Sequence, residues 1–163
     1  MKYTNRQKIL IVDDEPLNIS IVAEILNHEY DLLVANICDK ALQFVSLDPK
    51  PDLILLDIMM PGMNGFEVAK RLKEIPETFQ IPIIFLTAKH DSESIIKGFE
   101  AGAVDFVSKP FQKEELLARI KNTLQMFNLK NALNRALEKS QTYAKTVESQ
   151  MVLIDKNIII SHT

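Results

Sequence analysis

Five polar side chains stand directly behind or at the close of short apolar runs, and their chemistries complement one another. Asp13 and Asp14 follow KILIV at Lys8–Val12, and Asp57 follows the branched run Leu53–Leu56. Thr87 closes PIIFLT at Pro82–Thr87, and Lys109 follows Val104–Ser108. If these runs are strands of one parallel sheet, the five groups converge at its carboxyl edge, where open α/β sheets place ligands and chemistry. Unpaired carboxylates gathered there repel and raise one another's pKa, and a bound divalent cation relieves that. Oxygen ligands without histidine or cysteine favour magnesium, with manganese as a substitute, over zinc. Lys109 and Thr87 suit a tetrahedral anion, one by charge and one by hydrogen bond. A carboxylate nucleophile, a metal, an ammonium and a hydroxyl together fit phosphoryl transfer onto Asp57, attacking in line. Taken singly, each has a plain explanation: paired aspartates start helices, a strand-end threonine satisfies backbone, a lysine before proline lies on the surface. Their joint placement on successive runs is hard to explain that way.

The elements that must position these groups are readable in the pattern between them. Unbroken apolar runs suit strands buried on both faces. Pro16 can open a helix, because its missing N–H costs nothing in a first turn. Leu17, Ile21, Val22, Ile25 and Leu26 then recur at helical spacing. Tyr30–Ala35 reads as a second strand, and Ala41, Leu42, Phe44 and Val45 mark a short helix that stops before Pro49 and Pro51. Behind Asp57, a break at Pro61 and Gly62 leads to a helix with Phe66, Val68, Ala69 and Leu72 on one side. Asn64 and Glu67 have capping-box spacing for it. A helix over Asp91–Ala101 is capped by Asp91 or Ser92 and closed near Gly102. Gly98 inside it costs roughly 1 kcal/mol of helix propensity. A long helix starts near Gln112. Strand and helix thus alternate five times, which predicts a parallel sheet with helices on both faces.

The gross numbers set bounds. A chain of 163 residues suits one domain with an appendage. A formal charge of −3 gives no indication of non-specific nucleic-acid binding. Cys38 is the only cysteine, so no internal disulfide forms, and a reducing cytoplasm fits. Met1–Gln7 lacks the apolar centre of a signal peptide, and no apolar run approaches the roughly 18 residues of a membrane span.

From Lys8 to Phe127 the chain resembles the receiver domain of bacterial two-component response regulators. The residues that carry the resemblance are VDDEP at Val12–Pro16, LLDIMMPGMNG at Leu55–Gly65, FLTA at Phe85–Ala88 and AGAVDFVSKPF at Ala101–Phe111. It implies a flavodoxin-like (βα)5 three-layer sandwich with strand order 2-1-3-4-5, the order known for this family. It implies that Asp57 accepts a phosphoryl group from a histidine kinase or phosphotransfer protein. Magnesium is then held by Asp14, Asp57 and the backbone carbonyl of Met59, with Asp13 acting through water, while Thr87 and Lys109 contact the phosphoryl group. The Lys109–Pro110 bond is often cis in this family. Phe106 occupies the place of the switch aromatic, often Tyr, which turns inward as Thr87 moves toward the phosphoryl group. Phe has no hydroxyl, so only a packing read-out is left to it; the alternative is a plain core aromatic. Met59 and Lys89 flank the site where the family tunes phosphate lifetime. The implied response is a shift in the face made by the fourth helix, fifth strand and fifth helix.

Beyond the receiver, taken as residues 1–127, the chain continues. Met126, Leu133, Leu137, Ala144, Val147, Met151 and Ile154 fall on one a/d seam, interrupted by Lys130 and Ser140. Residues 128–153 therefore read as a helical linker that pairs as a coiled coil in a parallel homodimer. The alternative is a single helix folded back on its own domain. Ile154–Thr163, with the branched run Ile158–Ile160, is similar to the opening strand of a PAS domain. A GGDEF diguanylate cyclase or histidine kinase output is then expected outside this sequence, which contains neither motif. The whole reads as a switch that catalyses its own phosphorylation and slow hydrolysis, without turnover of an external substrate apart from the phosphodonor. Two readings of other classes stand beside it. A haloacid-dehalogenase-like phosphohydrolase also uses an aspartyl nucleophile, but needs a second Asp where Met59 stands. A flavodoxin-like flavin or nucleotide module needs a Gly- or Ser/Thr-rich loop where Asp13–Glu15 stands.

Overall fold

The computed structural model describes residues 5–62, 64–88 and 92–161, the last three by backbone alone. Strand and helix alternate as β1 (Lys8–Val12), α1 (Pro16–Leu26), β2 (Asp31–Ala35), α2 (Cys38–Val45), β3 (Leu53–Asp57), α3 (Gly65–Glu74), β4 (Ile83–Thr87), α4 (Ser92–Glu100), β5 (Asp105–Ser108) and α5 (Lys113–Ser161). The strands form one parallel sheet in the order β2-β1-β3-β4-β5. This is the expected flavodoxin-like architecture.

The apolar runs explain which strands are central. Every residue of β3 and β4 is buried, while the edge strands β2 and β5 are partly exposed. Side chains alternate across a strand, so each run feeds two cores. Ile9, Ile11, Leu55, Ile84 and Leu86 pack with Val22 and Leu26 of α1 and with Leu116, Ile120 and Leu124 of α5. Leu10, Val12, Ile54, Leu56 and Phe85 pack with Ala41 and Val45 of α2 and with Val68, Ala69 and Leu72 of α3. Fully burying one such side chain contributes about 1.5–3 kcal/mol, so the sheet is held from both sides.

The helix starts follow local chemistry. Glu15 is extended and Pro16 opens α1. Asn64 is extended and its Oδ1 accepts the Glu67 N–H at 3.0 Å, capping α3 as the spacing predicts. Gly102, with φ of +103°, ends the turn behind α4 in a conformation that side chains avoid. The Asp91 cap, Lys89 and Met1–Thr4 lie outside the described residues.

The chain divides into two compact units that meet between Leu124 and Gln125. The first holds the sheet. The second is helical, and Leu133, Leu137, Met151 and Ile154 on it are each more than half exposed. Where a strand is expected over Ile154–Thr163, the described residues 154–161 are helical, and residues 162–163 lie outside the described residues. A lone strand leaves its N–H and C=O groups unpaired, whereas a helix pairs them internally. The β-branched isoleucines cost a helix only a few tenths of a kcal/mol each. No helix among the described residues is long and apolar enough to cross a membrane.

Leu55 is fully buried at the centre of β3. Leu55→Ala is expected to lower stability by about 2–5 kcal/mol, read from urea unfolding. A loss under about 1 kcal/mol would contradict the packing of β3 on both faces.

Candidate functional site

Strand register gathers the site. Val12 lies opposite Leu56, so Asp13 and Asp57, each one residue further, stand side by side at the sheet edge. Leu86 pairs with Asp57 and Ser108 with Thr87, so Thr87 and then Lys109 extend the same edge. The Thr87 carbonyl accepts the Lys109 backbone N–H at 2.9 Å, which fixes the exit of β5 against that of β4. Carboxylate oxygens of Asp13, Asp14 and Asp57 lie within 4.8 Å of one another. Asp14 is exposed, but Asp13 and Asp57 are only 1% and 4% exposed. An open cavity of about 720 Å³ lies over them, lined by Asp14, Glu15, Asn18, Asp57, Met59 and Lys109, among others. Asp13 and Thr87, both buried, do not line it.

Lys109 holds the two buried carboxylates. Its Nζ is 2.9 Å from Asp13 Oδ2 and 3.2 Å from Asp57 Oδ1. The Glu15 N–H donates to Asp13 Oδ1 at 2.9 Å and the Met59 N–H to Asp57 Oδ1 at 3.3 Å. Burial is the largest influence on Asp57 and pushes its pKa up, and the charge of Asp13 adds to this. The Lys109 charge and hydrogen bond and the Met59 N–H pull it down without cancelling the rise. For Lys109, burial pulls the pKa down, but the hydrogen bond to Asp13 and the charges of Asp57 and Asp13 outweigh it, so the net shift is up. One ammonium thus leaves residual negative charge among these carboxylates. A hard divalent cation suits that donor set, which offers only oxygen.

The structure therefore brings together Asp13, Asp14, Asp57, Met59 and Lys109, with Thr87 joined to them through backbone. Phe106 lies apart from the cavity wall, its ring centroid 5.7 Å from that of Phe85 and 5.0 Å from that of Phe99. The Lys109–Pro110 bond is cis, as is Asp48–Pro49. Lys109, assigned from sequence to an anion, here also neutralises the acidic pair.

Two contributors escape a reading by residue type. Gly65 opens α3 with its N–H on the Ile58 carbonyl at 3.0 Å. A Cβ there would overlap the Asp57 carbonyl oxygen and stand 2.9 Å from Ile58 Cα. Only glycine lets the helix begin this close to the Asp57 backbone, and the sequence signal was a glycine directly behind an N-cap. Arg119 of α5 grips Asp105 of β5 through Nη1, at 2.8 and 3.0 Å, and Glu115 through Nε at 3.0 Å. Asp105 Oδ1 also accepts the Phe106 N–H at 2.8 Å, which fixes the backbone beneath the ring. No spacing rule anticipates a pair joining a strand to the following helix.

This pattern of residues and strands has close counterparts. Residues 9–121 match the family described as response regulator receiver domain. The chain belongs to that family. It is 48% identical over 118 residues to the phosphate regulon transcriptional regulatory protein PhoB of Pseudomonas aeruginosa, covering 72% of this chain and 51% of that protein. It is 42% identical over 123 residues to the DNA-binding response regulator MtrA of Mycolicibacterium smegmatis, covering 75% and 52%. The BeF3-activated receiver domain of DrrB, from Thermotoga maritima, superposes with a TM-score of 0.65 at 37% identity, covering 74% of this chain and 98% of that one. The chain spans about half the length of the curated relatives it matches. Receiver domains bind Mg2+ at an acidic pocket, and this chain has a cluster of Asp13, Asp14 and Asp57.

The raised pKa of Asp57 fixes a sign. Folding opposes its ionised form, so the cost is absent below the ordinary carboxylate range, grows as pH rises through it and is full above the raised value. Lys109 runs the other way: its contribution is complete below the ordinary lysine range and is lost only as pH rises through its raised pKa. In chelator at neutral pH, Asp57→Asn is therefore expected to melt about 2–4 °C above the wild type, the shift about 1 kcal/mol produces at this size. The difference should vanish near about pH 3, below the carboxylate range. Thermal denaturation across pH checks it; a variant that melts lower at neutral pH contradicts the assignment.

Proposed function

We propose that this receiver is a phosphorylation-driven switch in which Asp57 is the phosphoacceptor. The observation that carries this is the cluster of three carboxylates within 4.8 Å of one another, with Lys109 across two of them, under a cavity open to solvent. An oxygen of Asp57 forms the new P–O bond as the donor's bond to phosphorus breaks on the opposite side. The donor is the phosphohistidine of a kinase or phosphotransfer protein. Asp14, Asp57 and the Met59 carbonyl would hold Mg2+, or Mn2+ in its place, with Asp13 acting through water. The ion supplies neutralisation of charge on the equatorial oxygens. Lys109 already touches Asp57, and its ammonium then has a second anion to bind. The Thr87 hydroxyl approaches the phosphoryl group, and Phe106 responds through packing. In this reading the chain turns over no external substrate; Met59, half-exposed on the cavity wall, stands where a phosphohydrolase of the aspartyl class needs its acid.

Incubation with acetyl phosphate, or with beryllofluoride, and Mg2+ is expected to give one adduct, seen by mass for the phosphoryl group and by fluorine NMR for the mimic. Chelator or Asp57→Ala should abolish it. An adduct that survives Asp57→Ala would assign the chemistry to another residue.

The second unit supports a parallel homodimer. Leu133, Leu137, Val147, Met151 and Ile154 repeat at a/d spacing along α5, which suits knobs-into-holes packing against a second copy. The output module is attached through this helix. Sedimentation at high protein concentration should give a dimer, and Leu137→Lys with Met151→Lys should give a monomer. A wild-type monomer under these conditions would remove the dimer.

A further inference from the structure

The helix α4 carries a glycine in its last turn, where alanine favours the helix more. Gly98 is buried, and the phosphoryl site makes no use of it. What it touches gives a reason for it. A Cβ at Gly98 would overlap Cζ of Phe106, stand 2.8 Å from Cε1 of the same ring and 3.1 Å from Cδ2 of Phe85. The far end of the Phe106 ring thus rests on the helix backbone. Phe85 lies tilted on one side at 37°, and Phe99 meets the ring edge-on at 74°. Phe66 packs in turn on Phe85 at 5.3 Å. The slot has a floor of bare backbone and walls of aromatic rings.

We infer that Gly98 is the positioning residue for Phe106: its missing side chain forms the seat that sets where this ring lies. The inference rests on the switch reading only where ring position is tied to phosphorylation; the seat itself is a matter of packing. Phe106 pairs with Phe85 in the sheet, and two residues on, Ser108 pairs with Thr87. The aromatic walls of the seat and the Thr87 and Lys109 side of the phosphoryl site therefore share β4 and β5. A methyl group at position 98 strengthens the helix and fills the seat, two effects of opposite sign.

A four-protein cycle separates them: wild type, Gly98→Ala, Phe106→Leu and the double variant, as full chains. Leu lacks Cε and Cζ, so it clears the floor, and Phe85 needs to give only a few tenths of an ångström. With Leu at 106, Gly98→Ala is expected to raise the melting temperature by about 2–4 °C, from helix propensity. With Phe at 106 it should lower it or leave it unchanged. Failure of Gly98→Ala to fold, rescued in the double variant, supports the seat equally. An equal rise in both backgrounds overturns it. The second reading is beryllofluoride titration with Mg2+. Gly98→Ala should change the apparent affinity at least about fivefold, the lower end of ordinary allosteric coupling, and Phe106→Leu should cancel the change. Thermal coupling with unchanged affinity keeps the seat and overturns its link to the switch. Loss of the adduct in the wild type overturns the phosphoacceptor assignment instead.

Discussion

Two carboxylates buried side by side, with one ammonium between them, are the constraint around which this fold is arranged. Desolvating each ion costs several kcal/mol even after relaxation. Lys109 offsets part of that for Asp13 and Asp57, and backbone N–H groups of Glu15 and Met59 offset more. The remainder is carried by the apolar surface of β1, β3 and β4, since a few fully buried leucines and isoleucines outweigh it. Charge at the edge of the sheet is thus held by grease at its centre. Residual negative charge, rather than a neutral pair, therefore remains at the cavity.

The frame of the fold was legible because its strands are unambiguous. Leu53–Leu56 and Ile83–Leu86 are too short and too uniformly apolar for helices, and each is bounded by turn residues. Five such runs alternating with helical periodicity leave few topologies, and right-handed connections leave fewer. The branched run at Ile158–Ile160 shows the limit of the same reasoning. Locally it reads as a strand, but a strand depends on a partner edge elsewhere in space, and residues 154–161 continue as helix. Local pattern decides an element only when its hydrogen-bond partners are also supplied.

The site divides in the same way. Asp13, Asp14, Asp57, Thr87 and Lys109 were visible as residue types at run ends, because a parallel sheet brings all its carboxyl ends to one edge. The bond from Lys109 to both carboxylates was not, since it depends on a register in which Asp13 and Asp57 emerge as neighbours. Burial of Asp13 and Thr87 away from the cavity wall depends on side-chain packing. The Arg119–Asp105 clasp joins elements whose spacing carries no periodic signal. Gly65 and Gly98 were visible only as glycines. What each makes room for, the Asp57 carbonyl in one case and the Phe106 ring in the other, is a fact about neighbours distant in sequence.

Those two glycines also show how the acidic edge and the aromatic row are joined. Gly65 sets the start of α3 against the backbone of Asp57. The next residue, Phe66, lays its ring on Phe85 of β4, and Phe85 meets Phe106 above Gly98. From the acidic edge to α4 there is thus an unbroken series of close-packed contacts, with backbone at either end and rings between. Packed interiors resist continuous deformation and shift between discrete arrangements. Absence of a side chain at both ends matters for this, because a methyl group at either would hold backbone and ring apart where the structure brings them into contact. Gly65 and Gly98, the glycines of the described helices, are where the acidic edge and the aromatic row each come against a helix backbone.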